Sequence, residues 1–110
     1  MNRKIIEEIV QFRDERNWKQ YHNPKDLAIS LTLEASELLE IFQWSSSEEA
    51  VSKNLESISD ELADILVYCV LLADSLDLDI DRIIRNKLQK NNIKYPIAKA
   101  YGKKDKYDEL

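Results

Sequence analysis

Apolar residues recur along this chain at helical spacing in four segments. The first covers about residues 3–16, where Ile5, Ile6, Ile9, Val10 and Phe12 fall near that spacing. The loop NWKQYHNPKD follows. Asn23-Pro24 then reads as an N-cap with proline at the first helical position, opening a second helix that runs to about Gln43. Leu38, Leu39 and Phe42 are expected to place that helix in the core. SSSEEA reads as a loop or short turn with serine as a candidate cap. A third helix is predicted from about Asn54 to Ser75, and a fourth, capped by Asp77 or Asp79, ends near Lys94 just before Tyr95-Pro96. The expected organisation is one all-α domain of four-helix-bundle type over residues 1–98, followed by a polar, mobile tail over residues 99–110.

The third segment is the most informative. Set around a helix, Leu62, Ala63, Ile65, Leu66, Val67, Cys69, Val70, Leu71 and Leu72 cover most of the circumference. The polar residues Glu61, Asp64 and Tyr68 fall on one narrow stripe. A helix so nearly apolar all round needs cover on nearly every side, and a chain of 110 residues offers little of it. The pattern therefore predicts dimerisation through this helix.

Composition supports the all-helical class. Hydrophobic residues make up 44% and charged residues 34%, and one glycine with two prolines is too little punctuation for strands joined by tight turns. The length suits one domain. A net charge of −5 disfavours nucleic-acid polymers, whose binding rests on neutralising phosphates, but not a small polyphosphate carried with metal ions. Cys69 is the single cysteine, so no intrachain disulfide can form and a reducing compartment fits. The first residues carry no long apolar stretch of signal-peptide type. The most apolar run, LADILVYCVLLA, is too short to span a bilayer. A soluble cytoplasmic protein without membrane partners is expected.

Carboxylates then change the picture. Glu34 and Glu37 sit three apart on the second helix, and Glu61 and Asp64 sit three apart on the third. Residues at that spacing share a helix face, and both pairs border apolar stripes. If the two helices pack antiparallel, the four carboxylates can converge. Desolvating unpaired carboxylates costs several kcal/mol or more each, so they must be protonated, paired with Lys or Arg, or bound to cations. Oxygen-only ligands favour Mg²⁺ or Mn²⁺ over zinc or iron. Either pair alone is more at home on a solvated face, and Glu40 and Asp60 are read that way; only the two pairs together, each beside an apolar stripe, bring a metal site level with that reading.

On the fourth helix, Ile80, Ile83 and Ile84 mark an inward face that continues into Lys87, Asn91 and Lys94. Lysines supply point charges to phosphate and asparagine both donates and accepts. A pair of lysines near a helix C-terminus also suits the helix dipole. Trp18, His22, Trp44 and Tyr68 are compatible with ordinary core-edge and loop roles. Tyr68 extends the Glu61–Asp64 stripe by one turn, however, and Trp44 follows the acidic helix, so both can offer faces for stacking a nucleobase.

FRDERNWKQYHNPKDLAISLTLEASELLEIFQW, DELADILVYCVLLAD and KLQKNNIKYP, in that order, resemble the all-α nucleoside triphosphate pyrophosphohydrolases of the MazG-like family, nearest to the compact dCTP pyrophosphatase-type branch. The likeness extends from about Ile9 to Gly102. Its centre is Glu-x-x-Glu, a spacer of 23 residues from Leu38 to Asp60, and Glu-x-x-Asp. The resemblance implies Mg²⁺ held by Glu34, Glu37, Glu61 and Asp64, which would also be the catalytic set; one of these four carboxylates can accept the proton of the attacking water, and the sequence does not single it out, Glu37 being one candidate. It implies hydrolysis of a nucleoside triphosphate to monophosphate and pyrophosphate in nucleotide-pool house-cleaning, with deoxynucleotides favoured and dCTP or modified pyrimidine nucleotides among the candidates. Trp18, His22, Trp44 and Tyr68 match base and sugar positions, Lys87 and Asn91 match positions near the phosphates, and Lys94-Tyr95 belongs to the same substrate-binding motif; the resemblance also implies assembly as a homodimer or homotetramer. Relatives carry Glu-x-Gly-Glu where this chain has Glu34-Ala35-Ser36-Glu37, and Ala and Ser favour a regular helix there.

Rival readings are a non-catalytic helical adaptor with an acidic face and a related phosphoribosyl-ATP pyrophosphohydrolase. A ferritin-like di-metal bundle would want Glu-x-x-His pairs, and His22, the only histidine, lies in none.

Overall fold

Each of the four long helices of the computed structural model, which describes residues 1–110, starts after a residue whose side chain caps it. Asn2, Asn23, Ser46 and Asp79 accept hydrogen bonds from the backbone N–H of Lys4, Asp26, Glu49 and Arg82. These caps open α1 (Arg3–Glu15), α2 (Pro24–Phe42), α3 (Ser47–Ser75) and α4 (Ile80–Lys94); a one-turn α5 (Ile97–Ala100) follows. No strand is present, and no helix is long and apolar enough to cross a membrane.

Asp79 is thus the cap of α4, and Asp77 has another task. With φ +53°, Asp77 ends α3 in the left-handed region, as Asn17 ends α1 with φ +54°. Short polar side chains tolerate that conformation best after glycine. At the end of α1 the closure is a Schellman motif, with Asn17 N–H donating to the Asp14 carbonyl and Trp18 N–H to the Arg13 carbonyl.

α3 corrects one expectation. The helix begins at Ser47, seven residues before the predicted start, because Ser46 and Glu49 form a cap and Lys53 pairs with Glu49 at 2.7 Å. The predicted start is instead a kink: Asn54 leaves helical geometry at φ −131°, ψ 27°.

The chain forms two compact units, Met1–Asp77 and Leu78–Leu110. In the first, α2 and α3 are joined by residues 43–46 and form the principal packed pair, and α1 packs on α3. Leu27, Ala50, Val70, Leu71 and Ala73 are its buried apolar residues. Leu38 and Phe42 are half-buried as expected, but Leu39 is 66% exposed, on the side of α2 away from the pair. On α3, Val51, Leu55, Leu62 and Leu66 form one exposed stripe. The single chain leaves uncovered part of what periodicity marked as apolar.

In the second unit, Ile80 is half-buried, while Ile83 and Ile84 are exposed, so the face they were expected to turn inward is largely open. Residues 99–110 comprise the end of α5, a turn at Gly102 and a short 3₁₀ turn at Tyr107–Glu109.

Candidate metal centre and its surroundings

Regular helical geometry across Glu34-Ala35-Ser36-Glu37 keeps the acidic pair on one side of α2. Ser36 settles its hydroxyl on the Thr32 carbonyl, at 3.0 Å, within the same helix. Packing of α2 on α3 brings Glu34 together with Glu61 and Asp64. One carboxylate oxygen from each lies within 4.8 Å of the others. Glu34 and Glu61 are half-buried and Asp64 is exposed.

No lysine or arginine is paired with these residues. Glu34 Oε2 and Glu61 Oε2 are buried and have no hydrogen-bond partner. Two unit charges about 4 Å apart repel by roughly 4 kcal/mol at an effective dielectric near 20. Full ionisation of the cluster is therefore disfavoured. Burial, then contacts with Glu37 and Glu61 and the charges of Glu37 and Asp64, push the Glu34 carboxyl up to about 7. Glu61 is also raised, by burial and by Glu37, although its contact with Glu34 works the other way.

Of the three ways to sustain such a cluster, pairing with cationic side chains is therefore absent. Partial protonation is a second, and the raised Glu34 and Glu61 carboxyls are in keeping with it. A hard divalent cation is the third, and the donor set fits one: three carboxylates that each bring an oxygen within 4.8 Å of the others, with buried unpartnered oxygens on Glu34 and Glu61. Glu37 is outside that mutually close trio but near enough to perturb Glu34 and Glu61.

A model of the MazG-like family matches residues 29–110. The chain belongs to the MazG-like family. The dCTP pyrophosphatase 1 of Rattus norvegicus is 35% identical over 106 residues, which are 92% of this chain and 62% of that protein. Its Homo sapiens counterpart is 33% identical over the same shares. The chain thus spans a little under two thirds of the length of these curated relatives. A crystal structure of a pyrophosphatase from Archaeoglobus fulgidus superposes with a TM-score of 0.79 at 39% identity, covering 84% of this chain and 90% of that one. The all-α architecture expected of a MazG-like chain is the one observed.

The other predicted site residues of this MazG-like chain lie in three places. Trp18 stands just after α1, its indole edge-on to Phe12 with ring centroids 5.8 Å apart. His22 is half-buried; its Nδ1 is buried without a partner, and burial followed by the nearby Arg13 charge lowers its pKa. Trp44 is 89% exposed beyond α2, and Tyr68 is half-buried one turn past Asp64 on α3. In the second unit, Lys87, Asn91 and Lys94 fall along α4 as predicted, with Asn91 half-buried and both lysines exposed.

Three contacts escaped the sequence reading. The Arg16 guanidinium lies 3.7 Å from the Phe12 ring centroid and 5.9 Å from that of Trp18, and it donates to the Phe12 carbonyl. The i, i+4 spacing of Phe12 and Arg16 was a usable signal. Arg13 is buried, 3% exposed, between Asp14 at 2.9 Å and Asp74 at 2.7 Å. Tyr107 meets both Lys94 and Tyr95. For the last two, nothing local in the sequence marks the partner.

Proposed function

We propose that this chain hydrolyses nucleoside triphosphates to a nucleoside monophosphate and pyrophosphate, with deoxynucleotides such as dCTP or modified pyrimidine nucleotides as substrates. The observation that carries the reading is the trio Glu34, Glu61 and Asp64, whose crowded carboxylates include two buried unpartnered oxygens, in a MazG-like chain. Relatives named dCTP pyrophosphatase 1 and a structural neighbour named a pyrophosphatase support the substrate class.

Glu34, Glu61 and Asp64, with Glu37 completing the set, would hold Mg²⁺, Mn²⁺ being an alternative. When bound, that ion supplies neutralisation of the triphosphate charge and Lewis-acid activation of the reaction. Glu37, outside the trio, is assigned as the base: a side-chain oxygen accepts a proton from the attacking water. The water oxygen bonds to phosphorus as the bond between the α-phosphate and the pyrophosphate leaving group breaks. Trp18, His22, Trp44 and Tyr68 are assigned to the base and sugar, and Lys87, Asn91, Lys94 and Tyr95 to the phosphates. Glu34, whose carboxyl is raised to about 7, would have to be ionised to hold the ion, which would couple binding to pH.

The exposed stripe of Val51, Leu55, Leu62 and Leu66 supports a homodimer or homotetramer through α3. Light scattering at micromolar concentration checks this, and a monomeric mass would remove it. Cys69, a free thiol whose pKa burial raises, is consistent with a reducing cytoplasmic setting.

The deciding experiment is a panel of canonical and modified nucleoside triphosphates assayed for pyrophosphate release with and without Mg²⁺. Metal-dependent release from at least one deoxynucleotide is expected. An adaptor with an acidic face would give no turnover and no thermal stabilisation by Mg²⁺, and release from phosphoribosyl-ATP alone would redirect the reading to that relative.

A further inference from the structure

The only glycine of the chain is spent on turning its last residues back. Gly102 adopts φ +76°, and a Cβ there would meet nothing, so the requirement is the backbone conformation rather than space. Lys103 N–H closes the turn on the Ala100 carbonyl at 2.9 Å. The returning segment ends in the 3₁₀ turn Tyr107–Glu109, which sets the Tyr107 ring against the end of α4. Lys94 Nζ lies over that ring, 4.9 Å from its centroid. Tyr95 meets the same ring nearly perpendicularly, at 85° with centroids 6.2 Å apart.

One aromatic ring therefore engages two consecutive residues that the proposed function assigns to the phosphates. Lys94 is exposed and is the last residue of α4. Left alone, a lysine there would distribute its ammonium over many rotamers. A ring face on one side of the ammonium limits that spread electrostatically while leaving N–H donors for an anion. Preorganisation of this kind lowers the ordering cost of binding without adding a contact to the ligand.

We propose that residues 101–110 form a strap in which Tyr107 is a positioning residue, holding Lys94 where it meets the triphosphate. The proposal rests on the assignment of Lys94 to the phosphates. It gives the tail a role in substrate affinity that its polar composition alone does not suggest.

The test compares Tyr107→Leu, Tyr107→Phe, Lys94→Ala and the double variant Lys94→Ala/Tyr107→Leu in the full chain. The substrate is the deoxynucleoside triphosphate that the unaltered protein turns over fastest, with Mg²⁺. Tyr107→Leu is expected to raise KM about three- to fivefold, the size of an exposed cation–π contact, with kcat within about twofold. Tyr107→Phe keeps the ring and should behave as wild type. In the double variant KM should match that of Lys94→Ala, since the ring acts through that lysine. An unchanged KM in Tyr107→Leu beside a raised KM in Lys94→Ala would overturn the strap and leave the phosphate assignment standing. So would additive effects, or a Phe variant as impaired as the Leu one. An unchanged KM in Lys94→Ala would instead remove the phosphate assignment, and the strap with it. Helical circular dichroism and unfolding midpoint should be the same in all four variants.

Discussion

Two clusters of partly buried charge lie in the same unit, and they are built in opposite ways. At one, Arg13 is enclosed between Asp14 and Asp74, donating to each through a separate nitrogen. Its hydrogen bond holds the Asp14 carboxyl below the usual carboxylate range. At the other, Glu34, Glu61 and Asp64 face each other with like charge, and the Glu34 and Glu61 carboxyls are pushed upward. The first cluster is complete within the protein. The second leaves two buried carboxylate oxygens without a partner, the place where the proposed cation would bind. Buried charge by itself therefore does not mark a functional site; buried charge whose partners are missing from the fold does.

The sharpest way to break this contrast is to neutralise the acidic trio. Glu61→Gln and Glu34→Gln should each lower turnover by about 10²-fold or more, the scale of several kcal/mol of lost metal-assisted stabilisation. The same variants should melt no lower than the unaltered chain without metal, because a repulsion is removed. Steady-state assays beside thermal melts decide it; full activity in either variant would end the assignment of the metal site.

The paired cluster should answer in reverse. Asp74→Ala leaves the buried Arg13 with one partner and should cost roughly 2–3 kcal/mol in urea unfolding at fixed protein concentration, while kcat changes little. Arg13→Met, which removes the charge as well as the pair, should cost less. If Arg13→Met proved the more damaging, the guanidinium would be serving something other than its two carboxylates.

Next in size is a pH effect. Glu34 binds a proton in the folded state up to about 7, above its unfolded value of 4.5. Between those values the native chain carries more protons than the unfolded one, so metal-free stability falls as pH rises through the window. The melting temperature without metal should drop by about 5 °C from pH 4.5 to pH 7.5 after the contributions seen in Glu34→Gln are subtracted. Saturating Mg²⁺ should cancel most of that drop. A flat difference between the two proteins would mean that Glu34 titrates normally.

The smallest expected effects sharpen the contrast by their absence. Glu40 and Asp60 are exposed neighbours of the acidic trio. Glu40→Gln and Asp60→Asn should alter stability by less than about 0.5 kcal/mol and leave turnover near wild type. A large loss in either would show that the metal centre extends further along the helix surface.

Local rules made much of this molecule readable. Helix period and capping residues located α1, α2 and α4 closely, since a cap depends on side chains within three residues of the backbone it satisfies. They failed at the start of α3, where Ser46, Glu49 and Lys53 sustain a short helical piece that carries little apolar pattern. Tyr107 was passed over for a similar reason: a tail of polar residues has no periodicity, and the turn at Gly102 matters only because of what lies beneath the returning chain.

The sequence by itself determined the all-helical class, the caps, the apolar excess of α3 and the two carboxylate pairs on their helix faces. Each of these depends on residues a few positions apart, where helical geometry fixes the relation. Only the tertiary structure decided that Glu34 joins Glu61 and Asp64 while Glu37 stands aside, and that Arg13 finds Asp74 across 61 positions. Those outcomes depend on how one helix is rotated and shifted against another. Side chains far apart in the chain settle that through packing, which no local spacing encodes.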